Sequence, residues 1–202
     1  GYNGGTANAF SALDFAFGQF DLYTPLQLAQ YMSTIANGGT RIAPRLVKEI
    51  HETSPKGGIG NLEDVIPTKI MNTLQVEKKI LDHIKEGLYR VTHGENGTSA
   101  STFKNYSPEV AGKTGTAEAF YSGPNPAYKN EAVENSTFIS YAPYDNPEIV
   151  VSVVAPYFKD GLPSDYAAKI AKKVYEAYFG KKSNSETNAA TVNTQVQQNN
   201  RQ

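Results

Sequence analysis

The stretch Val110-Ala-Gly-Lys-Thr-Gly-Thr-Ala-Glu-Ala-Phe120 is an awkward strand. Two glycines and a lysine weaken a strand interior, because glycine costs backbone entropy and packs nothing. They make sense if something else approaches the backbone there. Gly115 leaves the approach clear of side chains. Alternation puts Thr114 and Thr116 on one face. Their hydroxyls can hold an anion with help from Lys113, and the exposed amides can pair with an extended peptide. A strand of this kind is a cradle for a peptide carboxylate.

Two apolar runs follow. Residues 136–142, "STFISYA", are apolar on both faces, and residues 148–155, "EIVVSVVA", are nearly unbroken. Such runs fit strands covered by helices on both sides. "PYDNP" between them reads as a hairpin loop. Upstream, "TPLQLAQYMSTIANGG" reads as a helix. Thr24 is its N-cap, Pro25 its first position and Asn37-Gly38 its stop, with Leu28, Met32, Ile35 and Ala36 on one face. "RIAPRLVKEIHE" reads as extended chain, and "SPKGGIG" as a loop. Ile80, Ile84, Leu88 and Val91 recur at helical spacing and predict a helix from Glu77 to Thr92. "HGENGTSASTFKNYSPEV" reads as a polar loop. A last helix is predicted from Ser164 to Gly180, with Ala167, Ile170, Ala171, Val174 and Tyr178 as its apolar stripe. The expected fold class is α/β (α+β), an antiparallel sheet with helices on both faces, over residues 1–180. Residues 181–202 are polar, rich in Asn and Gln, and expected to be disordered.

Composition narrows the function. The 202 residues carry 19 Lys+Arg against 20 Asp+Glu, a net charge of -1 that argues against nucleic acid as partner. No apolar run reaches the roughly 18 residues of a membrane span. "GYNGGTANAF" lacks the pattern of a signal peptide and has no initiating Met, so the chain reads as a fragment or processed piece. Cysteine is absent, which removes disulfides, thiolate metal sites and a cysteine nucleophile. His51, His83 and His93 show no metal-ligand spacing.

Three other motifs are weighed against accident. Ser101-x-x-Lys104 has the spacing of a nucleophile and its base, which requires the Ser at a helix start. Pro108 and the surrounding Gly, Asn and Ser speak for a solvated loop instead. With 13 Ser and 15 Lys in 202 residues, about one such spacing arises by chance, and one is present. Tyr144-Asp145-Asn146 is explained by a turn between prolines. Gly112-Lys113-Thr114 is no phosphate loop, because that loop needs a Gly five residues before Gly112 and residue 107 is Ser.

Lys113-Thr114-Gly115 is also a motif of serine β-lactamases and penicillin-binding proteins. Around it the chain resembles the C-terminal part of the transpeptidase domain of class B penicillin-binding proteins, of the Gram-positive 2B kind. The likeness rests on "FGQFDLYTPLQLAQYMSTIANGGTRIAPRLVKEI", "GENGTSASTF", "AGKTGTAE", the two strands and the last helix, about residues 10–180.

The resemblance implies a peptidoglycan D,D-transpeptidase that acts through a serine ester. Its Ser-x-x-Lys and Ser-x-Asn motifs would lie upstream of this chain, so Ser101 and Lys104 are a decoy. Lys113 would assist proton transfer, and Thr114 and Thr116 would hold the carboxylate of a D-Ala-D-Ala stem or a β-lactam. The Thr116 amide would serve as an oxyanion donor. The resemblance implies no metal or cofactor. The expected partners are peptidoglycan stem peptides, β-lactams, the upstream half of the domain, a membrane glycosyltransferase and division or elongation proteins. The expected location is the cell membrane, anchored by a helix outside this chain, with the domain extracytoplasmic. The alternatives are a β-lactamase-like hydrolase and a non-catalytic β-lactam sensor.

Overall fold

The computed structural model describes Leu13, Gly18 and residues 21–158 and 163–180. The expectations for "GYNGGTANAF" and for the polar tail 181–202 lie outside the described residues.

Helix α1 spans Pro25–Ala36. Thr24 caps it, and a reciprocal bond from Gln27 completes a capping box that the sequence reading passed over. Helix α2 spans Lys78–His93 and the single-turn helix α3 spans Ala100–Phe103. Helix α4 covers 166–180. The main sheet holds β5 (Ala111–Phe120), β6 (Ala132–Ala142) and β7 (Ile149–Phe158), all antiparallel in the order β5-β6-β7. Two further strand pairs form an arm: β1 (Thr40–Ile42) with β4 (Ile70–Thr73), and β2 (Glu49–Thr53) with β3 (Ile59–Val65). The return strands β3 and β4 are absent from the sequence reading, since "IGNLEDV" neither alternates cleanly nor runs apolar.

The register of the sheet sorts its residues into two cores. Ala111 faces Tyr141 and Lys113 faces Ile139 across β5 and β6. Ala111, Tyr141, Ile139 and Val150 meet Met32, Ile35 and Leu88 of α1 and α2. On the other face, Phe138, Ala142 and Val151 meet Phe103 of α3 and Ala167, Ala168, Ala171 and Tyr175 of α4. The antiparallel sheet with helices on both faces is as expected.

Three expectations need correction. The buried stripe of α2 is Leu81, Leu88 and Thr92, whereas Ile80 and Ile84 are 45% and 40% exposed. The face is chosen by contact with β5 and α1, and the outer isoleucines lie off that contact. In α4 the stripe is likewise rotated. Ala167, Ala168, Ala171 and Tyr175 are buried, while Ile170, Val174 and Tyr178 flank them half-exposed. Small residues let the helix lie close to the sheet, where Ser140 Oγ and the Tyr175 hydroxyl are 2.8 Å apart. Lastly, the polar loop 93–110 contains α3. Its Phe103 is buried and stacks on Phe138 at 5.8 Å, which anchors a segment whose other residues look solvated.

Candidate active site

Strand β5 pairs with β6 on one side, and among the described residues it has no strand neighbour on the other. The direction of its backbone groups follows from two contacts. The Gly115 carbonyl accepts from Thr137 Oγ1 of β6 at 3.3 Å, so Gly115 directs its backbone toward β6. By the antiparallel alternation, Thr114 and Thr116 direct their N–H and C=O groups to the open edge. The Thr114 carbonyl is indeed met by Lys113 Nζ at 2.5 Å.

This geometry solves a problem of faces. Lys113 belongs to the α1–α2 face, opposite Ile139, and Thr114 to the α3–α4 face, opposite Phe138. The cation and the hydroxyls can meet only around the open edge, and the long stem of Lys113 takes it there. Partial burial of the ammonium lowers its pKa from the ordinary 10.5. Thr114 is buried and Thr116 exposed, so the two hydroxyls differ in access although both lie on one face. Gly115 has a structural reason beside ligand clearance, since a Cβ there would stand 2.4 Å from Thr137 Oγ1.

The segment between α2 and α3 passes from one face of the sheet to the other, because Leu88 and Phe103 belong to opposite cores. It crosses beside β5. The buried Thr92 hydroxyl lies 2.5 Å from the Val110 carbonyl, just before the strand. Thr98 Oγ1 lies 2.8 Å from Thr114 Oγ1. Neither threonine was singled out from the sequence; the only signal was the position of Thr98 in the "GENGTSASTF" lead-in.

The Ser101-x-x-Lys104 motif lies at the helical turn α3. Ser101 lies in the helical turn α3, contrary to the expectation of a helix-free loop, and Lys104 is its C-cap. Both side chains are exposed. No hydrogen bond or ion pair joins them among the described residues. Tyr144 lies in the β6–β7 turn, packed on Tyr89 at 4.6 Å, and its amide donates to the Glu109 carbonyl. That places the Tyr144-Asp145-Asn146 turn beyond the start of β5, away from Thr116. His51 and His93 have structural contacts: His51 with Gly60 and Glu49, His93 stacked on Tyr89 at 4.3 Å. Among the described residues, no helix is long and apolar enough to cross a membrane.

Known proteins resemble this chain in sequence and in fold. The penicillin binding protein transpeptidase domain family matches residues 1–176. Penicillin-binding protein 2A of Bacillus subtilis is 40% identical over 185 residues, covering 91% of this chain and 26% of that protein. The Haemophilus influenzae peptidoglycan D,D-transpeptidase MrdA is 34% identical over 164 residues, 79% of this chain and 24% of that protein. The solved structure of penicillin-binding protein 2B from Streptococcus pneumoniae strain R6 superposes with a TM-score of 0.70 at 34% identity, covering 86% of this chain and 28% of that one. The chain thus spans about a quarter of the length of the curated relatives it matches. With a strand that offers an open edge, two threonines and a lysine turned to it, and a family match over most of its length, the chain belongs to the penicillin-binding protein transpeptidase domain family.

Proposed function

We propose that the protein containing this chain is a peptidoglycan D,D-transpeptidase, acylated on a serine outside these 202 residues. The observation that carries the reading is the open edge of β5, where the Thr114 and Thr116 backbones and the Lys113 ammonium converge. A stem peptide ending in D-Ala-D-Ala lies along that edge as an added strand. Its terminal carboxylate meets the hydroxyls of Thr114 and Thr116. The Thr116 amide, directed outward, donates to the carbonyl oxygen as it turns into an oxyanion.

The serine hydroxyl attacks that carbonyl and expels D-Ala. Lys113 keeps the local potential positive and favours the deprotonated nucleophile. An amine of a second stem then takes the acyl group and regenerates the serine. A β-lactam presents a similar carboxylate and carbonyl and stops at the acyl-enzyme. Loss of an oxyanion donor costs about 3–4 kcal/mol of barrier. The intact protein is anchored in the cell membrane with this domain outside the cytoplasm. It works there with a membrane glycosyltransferase and with division or elongation proteins.

The test is the acylation rate of the intact protein by a fluorescent penicillin, read beside its melting temperature. Thr116→Ala and Lys113→Ala slow acylation strongly with little change in melting. Normal acylation in both variants, or a label mapped to Ser101, would overturn the reading.

A further inference from the structure

We propose that Thr98 is a positioning residue that sets the direction of the Thr114 hydroxyl, making Thr114 a donor to the carboxylate of the bound ligand. The inference rests on the carboxylate-cradle reading given above and adds a residue to it.

A threonine hydroxyl has one proton and two lone pairs. Thr114 Oγ1 lies 2.8 Å from Thr98 Oγ1, and the side chain of Thr114 is largely buried. Only one of the two protons can lie between the oxygens. If Thr114 donates to Thr98, its own oxygen presents lone pairs to an arriving carboxylate, and the two repel. If Thr98 donates, the Thr114 proton is free to point at the carboxylate. Each bond in such a chain polarises the next, so the donor is also strengthened. By donating, Thr98 therefore sets the direction Thr98 to Thr114 to carboxylate. An apolar residue at 98 would leave Thr114 oxygen without that donor.

The backbone holds Thr98 in place for this task. The crossing segment is tied to the end of α2 by Ser99 N–H donating to the Val91 carbonyl at 3.0 Å. Gly97 lets the segment come that close. A Cβ there would stand 2.4 Å from the Arg90 carbonyl oxygen and 2.6 Å from that of Val91, and backbone oxygens cannot step aside. On the other side of Thr98, Ser99, Thr102 and Phe103 are buried. Thr98 itself is exposed between these two fixed points, at the edge where the loop crosses. A surface threonine with no role would be free to rotate; this one is aimed at the motif strand.

The experiment uses the intact protein and two β-lactams that differ only in a free carboxylate against its methyl ester. Acylation rates are measured for wild type, Thr98→Val, Thr98→Ser, Thr114→Val and the double variant Thr98→Val/Thr114→Val. We expect Thr98→Val to slow the free acid about tenfold and to leave the ester unchanged, and Thr98→Ser to restore the rate. In the Thr114→Val background, Thr98→Val should cost nothing more, since its effect passes through Thr114. Equal slowing of acid and ester by Thr98→Val would mean a general disturbance of the loop and overturn the proposal. Full additivity in the double variant would also overturn it, because Thr98 would then contact the ligand itself. If wild type shows no preference for the free acid, the cradle reading fails instead, and that outcome is separate from the others.

Discussion

The β5–β6–β7 sheet and the arm of residues 40–73 are both built from antiparallel strands, yet they end in opposite environments. Phe138 of β6 is fully buried between α3 and α4, with Phe103 stacked on one side. Ile59, Leu62 and Val65 of β3 are 82%, 56% and 48% exposed, though the hairpin pairs along its length. Pairing alone thus does not bury a strand. A two-stranded hairpin has no layer to cover it and is marginal by itself. The sheet has helices on both faces, so each face becomes a core. The candidate site sits on the well-supported element, and only its edge is left open.

The contrast can be broken most severely at Phe138. Phe138→Ala removes a ring from the α3–α4 face and should cost about 3–5 kcal/mol. Urea unfolding of the intact protein checks this; a loss under about 1 kcal/mol would show that the face is loosely packed.

Tyr175→Phe is the next test. It keeps the ring and removes the hydroxyl that lies 2.8 Å from Ser140 Oγ, leaving Ser140 buried without that partner. The expected loss is about 1–3 kcal/mol. An unchanged midpoint would mean that Ser140 finds another hydrogen-bond partner. Burial pushes the Tyr175 phenol well above its ordinary pKa of 10, so it stays protonated and able to donate over the whole range in which such a titration is run.

A pH test sharpens the picture on the same face. Asp165 is buried, which by itself would raise its pKa. The Lys169 ammonium at 2.9 Å and the Thr102 hydroxyl at 2.8 Å outweigh this and hold the carboxyl below the usual 3.8. A depressed folded pKa gives stability that is complete above the unfolded value. That stability is lost as the pH falls through the lower folded value. Melting temperature should therefore drop on acidification below about pH 3.8 less steeply in Asp165→Asn than in wild type. Equal acid slopes would show that the carboxylate contributes nothing to the join between α3 and α4.

The smallest effect belongs to the arm. Leu62→Ala, at a position more than half exposed, should change stability by no more than about 0.5 kcal/mol. A loss of several kcal/mol would mean that another part of the intact protein covers β3.

Some of this was legible residue by residue. Thr24, Pro25 and Asn37 mark α1 because caps act through local backbone geometry, which a sequence states directly. The runs at 136–142 and 148–155 fit strands covered on both sides, since both faces of such a strand need apolar residues. Lys113, Thr114, Gly115 and Thr116 stand out because glycine and lysine weaken a strand interior unless something else approaches the backbone. The faces of α2 and α4 were not legible. Both helices carry more apolar residues than they bury, and which stripe turns inward depends on the partner's shape. The small alanines of α4 win over Ile170 and Val174 because they permit close approach to the sheet.

What the sequence alone determined was therefore local and periodic: the start of α1, the alternation along β5, the turn at 143–147, and the chemistry available at 113–116. Only the tertiary structure decided which edge of β5 is open and how Lys113 and Thr114 meet from opposite faces. It also decided that Thr98 touches Thr114 sixteen residues away. The physical reason is that hydrogen bonds and burial across the sheet depend on register and on the path of the chain between layers. Neither quantity is carried by any short run of residues.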